Sequence, residues 1–268
     1  MSMTNPITAH DLEAQLRDEL GVTQDTNLVA HVSLSAFGDI EGDEKDIVAA
    51  MLAVAGTVVM PAFTYQTQLI PQVGPPDNAI IYGTGDQINQ KAEIFRPDLP
   101  VHPDCGPVAE ALRQDAQTLR STHPILSFVA QGKHAREVLS SQTRQNPLAP
   151  IAWLEAHDGI MLLMGADQRA NFSLHLAEQR AGRKTFTRWA LTVDDIEELP
   201  NIPGCSDGFN AIWMDLMEMT TVTHIGVARC EVIPLKQMLA YAEKRLHTDL
   251  NYLLCDKPSC LSCRTREK

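Results

Sequence analysis

Two apolar periodicities take turns along this chain, and their alternation constrains the fold more than any other feature. "NLVAHVSLSAFG" reads as a strand running into a turn of small polar residues. "TVVMPAFT" is a β-branched strand halted by Pro61, and "GIMLLMGA" is a strand of the kind buried on both faces of a sheet. "HPILSFVAQG" and "HIGVARCEVIPL" read as further strands. Between them stand segments with helical spacing. "TAHDLEAQLRDELG" has Thr8 or Asp11 as N-cap and Gly21 at its end, and "DEKDIVAAMLAVAG" stops at Gly56. "GPVAEALRQD" carries Pro107 near its start. "KHAREVLSSQ", "APIAWLEAHDG", a segment around His175 and "KQMLAYAEKRLHTD" complete the helices. Such alternation predicts an α/β fold, with a central mostly parallel or mixed sheet sandwiched between helix layers. Ligands of such sheets sit beyond the carboxyl ends of the strands. "HVSLSAFG", "MPAFTYQ", "HPILSF" and "MGADQRANFSLH" are therefore expected to converge on one cleft.

The chain shows no internal repeat and no low-complexity tract, and its 268 residues are read as a single domain over 1–268. Residues 65–107 are irregular and rich in Pro, Gly, Asn and Asp, a length of connection that is usually functional or mobile. The formal net charge of -12 argues against a nucleic-acid partner. It favours a cationic one, or serves solubility alone. No apolar run approaches the roughly 20 residues of a membrane helix. The N-terminus lacks a secretory pattern, so a cytoplasmic protein with no membrane partner is expected.

"NFSLHLAEQRAG" places His175 three residues before Glu178, on one face of a helix. A carboxylate there fixes the imidazole tautomer and suits general-base work on an amine or hydroxyl. Spacing alone fits a core histidine at least as well. Ser33 and Ser35 flank Leu34 in a turn after a strand, where backbone N–H groups can hold a carbonyl oxygen or a phosphate. Taken alone they are better explained as a simple polar turn, with His31 packed beneath. No Gly-rich phosphate loop is present. In "RSTHPILSF", Ser127 and Phe128 are candidates to line a pocket for a long ligand. The tail "CDKPSCLSC" spaces Cys255, Cys260 and Cys263 as C-x4-C-x2-C, and Cys205 is a candidate fourth ligand. Four thiolates suit a closed structural zinc site; the alternative is a set of free thiols on a frayed tail.

Taken in order, these stretches resemble the aminoglycoside 3-N-acetyltransferase family, the antibiotic N-acetyltransferases. "AHVSLSAFG" is similar to the family's H-S-S-L-S-x-x-G turn, and "VVMPAFTYQ" to its G-T-L-V-M-P-x-F segment. "RSTHPILSFVAQG" is similar to R-S-x-H-P-x-x-S-F-x-A-x-G. "HDGIMLLMGADQRANFSLHLAE" resembles the signature D-G-x-V-L-L-L-G-x-x-x-x-x-N-T-S-L-H-L-A-E. The likeness spans residues 8–263.

The resemblance implies one acetyltransferase domain, with 65–107 as its divergent acceptor side and 249–268 as its Cys-rich tail. It implies acetyl-coenzyme A as co-substrate and a cationic acceptor, an aminoglycoside acetylated on an amine. The catalytic pair maps onto His175 and Glu178. Coenzyme A contacts are expected at Ser33, Leu34, Ser35, Phe63, Ser127, Phe128 and Ser173. Asp77, Asp86, Asp104 and Asn171 are candidate acceptor contacts. A terminal C-x-x-C with a mid-chain cysteine also occurs in some members. Two departures stand out: Val32 replaces a serine, and Phe172 replaces the threonine after the asparagine. They leave two alternatives open: an acyltransferase of the same fold for another amine or hydroxyl, and a coenzyme A-binding protein without turnover.

Overall fold

The carboxyl ends of three adjacent parallel strands form one edge of the molecule, and the rest of the architecture is built to hold that edge. The computed structural model describes residues 6–267. Residues 1–5, part of the N-terminal stretch read above, and residue 268 lie outside the described residues. In the first half run α1 (Ala9–Asp18), β1 (Asn27–Val32), α2 (Glu44–Val54), β2 (Thr57–Pro61), β3 (Gln68–Leu69), α3 (Asp86–Asn89), α4 (Gly106–Gln114), β4 (Leu119–Arg120) and β5 (Phe128–Gly132). Then follow α5 (Ala135–Ser140), α6 (Ala149–Ala156), β6 (Ile160–Met164), α7 (Leu174–Arg180), β7 (Phe186–Leu191) and β8 (Ile196–Ile202). The chain ends with α8 (Trp213–Leu216), β9 (Thr221–Ile225), β10 (Ala228–Pro234), α9 (Leu235–Thr248) and α10 (Leu261–Arg264).

Seven strands form the main sheet in the order β4-β5-β2-β1-β6-β10-β9. β1 pairs in parallel with both β2 and β6; the outer pairs are antiparallel, so the sheet is mixed. Side chains alternate between its faces. Leu28, Ala30 and Val32 of β1 join Val58, Met60, Leu162 and Met164 in one core layer, closed by α1, α2 and α4. Val29, Val59, Met161 and Leu163 enter the other, closed by α5, α6, α7 and α9. The sheet thus lies between helix layers, as the alternation predicts. Local chemistry sets the helix starts. Thr8 caps α1 and Asp43 caps α2, each in a reciprocal box with the Asp three residues on. Among the described residues, no helix is long and apolar enough to cross a membrane.

Three sequence readings are corrected. "HPILSFVAQG" is a strand only from Phe128, because the His123 ring accepts the N–H groups of Ile125 and Leu126 and folds the first half into a turn. "HIGVARCEVIPL" is part of a hairpin, β9 and β10, broken at Gly226. A second sheet, β3-β7-β8, was not foreseen. Its hairpin carries Glu197, Glu198 and Pro200, which obscure the strand pattern.

Residues 65–107 are largely irregular, but they are fastened. The Asn78 amide pairs with both N–H and C=O of Thr187 at 2.8 and 2.9 Å, imitating a strand neighbour. Asn89 does the same for Ile70. Arg120 donates to the carbonyls of Ala62, Pro97 and Leu99. Burial draws its pKa down to about 10, and the guanidinium remains charged at neutral pH.

Candidate active site

A cleft opens where β1, β2 and β6 end. Its larger compartment, about 480 Å³, is bounded by Ser33, Leu34 and Ser35 on one side and by residues 103–107 on the other. A smaller compartment of about 190 Å³ is lined by Phe63, Tyr65, Arg169 and Phe172. His31, Asp104, Cys105 and Ala170 border both. Leu34 and Ser35 open a 3-10 turn, so their N–H groups have no acceptor within it. Gly165 lets the loop after β6 approach this turn, since a Cβ there would lie 2.4 Å from that of Ala36. Val32, the first departure, ends β1 at the wall of the larger compartment. His31 takes the Phe172 N–H on Nε2 at 3.4 Å. Enclosure lowers its pKa, which suits a neutral, accepting imidazole.

The helix α7 begins beside this cleft. Leu174, His175, Leu176, Ala177 and Glu178 are all buried, so the helix has no solvent face over this stretch. His175 Nδ1 and Glu178 Oε2 are 2.6 Å apart. Glu178 also accepts from Arg183, and from Arg266 at 3.2 Å. Burial disfavours the carboxylate, but His175, Arg266 and Arg183 outweigh it and hold the Glu178 pKa below the usual range. An ionised Glu178 accepts, so Nδ1 carries the proton and Nε2 is left as the basic nitrogen. Phe172 meets the imidazole edge-on at 5.1 Å, and Phe209 packs at 4.8 Å. His175 is only 3% exposed and packs against Phe172, which forms part of the cleft wall.

The sequence candidates divide. Ser33, Leu34, Ser35, Phe63 and Asp104 line the cleft. Ser127 and Phe128 do not: the Ser127 hydroxyl donates to Ala62 and accepts from Arg120, while Phe128 is a core residue. Their motif builds the scaffold behind the cleft. Asn171 is fully buried, its amide bound to Gln168 and Met238, so it braces the α7 start. Ser173 is buried too, and its hydroxyl lacks a hydrogen-bond partner among the described residues. Asp77 and Asp86 are exposed and line neither compartment. The loop that holds them is fastened to the second sheet instead. Tyr65, in the "MPAFTYQ" stretch, lines the smaller compartment. Arg183, Arg266 and Cys105 escaped the sequence reading; nothing local marks them, since long-range contacts bring them in.

The tail is packed rather than frayed. Cys205, Cys255, Cys260 and Cys263 bring their sulfurs within 4.8 Å of one another, all as free thiols. The N–H of Asp207 donates to the Cys205 sulfur, and that of Cys255 to the Cys263 sulfur. Such a donor set suits a tetrahedral metal of the zinc type.

The comparisons with known proteins decide the family. The sequence matches the family described as aminoglycoside 3-N-acetyltransferase over residues 29–247. The chain belongs to this family. Membership makes it an acyltransferase. A similar relative is the SPbeta prophage-derived aminoglycoside N(3')-acetyltransferase-like protein YokD of Bacillus subtilis, 26% identical over 91% of this chain and 93% of its own. Its crystal structure superposes with a TM-score of 0.80, covering 91% of this chain and all of that one. Aminoglycoside N(3)-acetyltransferase IX of Micromonospora chalcea is 30% identical over 68% of this chain and 66% of its own. The apoenzyme of aminoglycoside acetyltransferase AAC(3)-IVa shares the fold, at 24% identity and a TM-score of 0.78 over 99% of this chain and 98% of that one.

Proposed function

We propose that the protein transfers an acetyl group from acetyl-coenzyme A to the 3-amino group of an aminoglycoside, with His175 as general base. The observation that carries this reading is the buried His175–Glu178 contact at 2.6 Å, with His175 packed on Phe172 of the cleft wall. Relatives named as aminoglycoside acetyltransferases supply the acceptor class, and one solved structure of the same fold is described as a binary complex with CoASH.

Bound acetyl-coenzyme A supplies the acyl group as a thioester. The chain's residues do the rest. The turn at Leu34 and Ser35 offers free N–H groups to an oxyanion or a phosphate. Glu178 fixes the tautomer, so His175 Nε2 takes the proton of the acceptor amine as its nitrogen bonds to the acyl carbon. The C–S bond breaks, and the proton passes on to the departing thiolate. No cysteine is needed as nucleophile. Asp104 is the one acidic candidate on the cleft wall, and it meets the cationic acceptor.

A second reading rests on Phe172. Its ring lines the cleft and packs on His175, which lines neither compartment, as expected of a protein that binds coenzyme A without turnover. One experiment separates the two. The protein is mixed with acetyl-coenzyme A and a panel of aminoglycosides, and mass spectrometry seeks a single added acetyl group. Acetylated product supports the transferase. Coenzyme A binding with no product anywhere in the panel rejects the aminoglycoside acceptor and leaves the second reading, or another acceptor.

A further inference from the structure

We infer that Cys205, Cys255, Cys260 and Cys263 hold one zinc ion as four thiolates, and that Arg266 couples this site to the Glu178–His175 pair as a positioning residue. The second half rests on the reading of His175 given above.

The sulfurs fit first. Zinc–sulfur bonds of about 2.3 Å place tetrahedral sulfurs about 3.8 Å apart, so the present spread, within 4.8 Å, closes by about 1 Å at most. Charge gives an independent reason. Arg183 and Arg266 share the single carboxylate of Glu178, and all three side chains are almost wholly buried. One positive charge is left over, and an uncompensated buried charge is costly. Arg266 turns its other nitrogen toward the cluster, 3.7 Å from the Cys263 sulfur and 3.2 Å from the Cys205 carbonyl. Neutral thiols offer it little. Four thiolates around a divalent zinc carry a net double negative charge and supply the missing partner.

The backbone is shaped for this contact. Gly204 passes over Arg266 so closely that a Cβ would lie 2.7 Å from the guanidinium carbon. Ser206, next to Cys205, lines the smaller compartment of the cleft and donates to the Arg169 carbonyl at 2.8 Å. The loop bearing one metal ligand therefore touches both the cleft and Arg266. Metal binding is folding energy for such a cluster. Here that energy also holds Arg266 against Glu178, and through it the tautomer of His175.

The test uses the full chain, expressed with zinc in the medium and purified without chelator. Elemental analysis should find about one zinc per chain, lost in Cys260→Ser. Absence of zinc from the unmodified protein, or iron in its place, overturns the metal site. The coupling is read by ring-nitrogen NMR of His175, assigned through the signal lost in His175→Ala. Arg266→Gln should keep its zinc but lose the fixed Nδ1–H tautomer, and Arg266→Lys should restore it in part. If Arg266→Gln does not fold, Arg266→Lys is compared with the unmodified protein alone, and a partial loss of the fixed tautomer is expected. A zinc-loaded variant with an unchanged imidazole spectrum overturns the coupling. Failure of the general-base reading looks different: His175→Ala then keeps full acetyl transfer while the zinc content and the Arg266 effect stand.

Discussion

His175 owes its tautomer to a carboxylate that two guanidinium groups hold in place. Glu178→Gln removes that charge and leaves the Arg183 guanidinium buried without a counterion. Urea unfolding should show a loss of about 3–5 kcal/mol, the usual cost of breaking a buried pair. A loss under about 1 kcal/mol would mean that water or the tail compensates the charges. Phe172 makes a different prediction. Its ring lines the smaller compartment, edge-on to His175 and 4.6 Å from Phe63. Phe172→Thr should cost about 1–3 kcal/mol of stability, since the ring borders open space. It should also raise kcat/KM for a bulky acceptor. A fall in kcat/KM would recast the ring as a platform for the acceptor rather than a screen over the base.

Among the elements, local pattern proved readable and long-range capture did not. β1, β2 and β6 announce themselves by continuous apolar runs, and α1 and α2 by their caps, because neighbours in sequence decide these features. The His175–Glu178 contact was readable for the same reason: one helical turn makes it. The β7–β8 hairpin was not, since charged residues and Pro200 interrupt its alternation. Nor were the roles of Ser127 and Asn171, which depend on Ala62 and on Met238, distant in sequence. Arg266 reaches Glu178 across 88 positions, a partnership no spacing rule could propose. The fastening of residues 65–107 yields a test at this scale. Asn78→Ala removes both side-chain bonds to Thr187. Hydrogen exchange should rise at residues 74–90 and at the β7 edge while the main sheet stays protected. Exchange unchanged in the loop would show that Asn78 is not what holds it.

For the whole molecule, acid acts on groups the fold keeps in one protonation state. Burial pushes the His123 pKa down to about 3, with Arg144 adding to the effect. A depressed histidine contributes stability in full above its unfolded pKa near 6.5, and that contribution is lost as pH falls toward the folded value. Between pH 7 and 5 the loss from His123 should be about 2 kcal/mol. His31 acts in the same direction. Glu178, depressed as a carboxylate, keeps its contribution until the pH falls below about 5. His123→Asn retains an acceptor for the turn without a titrating ring, so its unfolding free energy should fall less over pH 7 to 5. An identical slope would remove His123 from the acid response. The central claim, that His175 takes the proton for acetyl transfer, has a more direct test. The rate of transfer is compared between the unmodified protein and His175→Ala at saturating acetyl-coenzyme A, with coenzyme A affinity measured in parallel. A rate lowered by roughly 10²–10⁴, with affinity unchanged, is the predicted result; equal rates would contradict it.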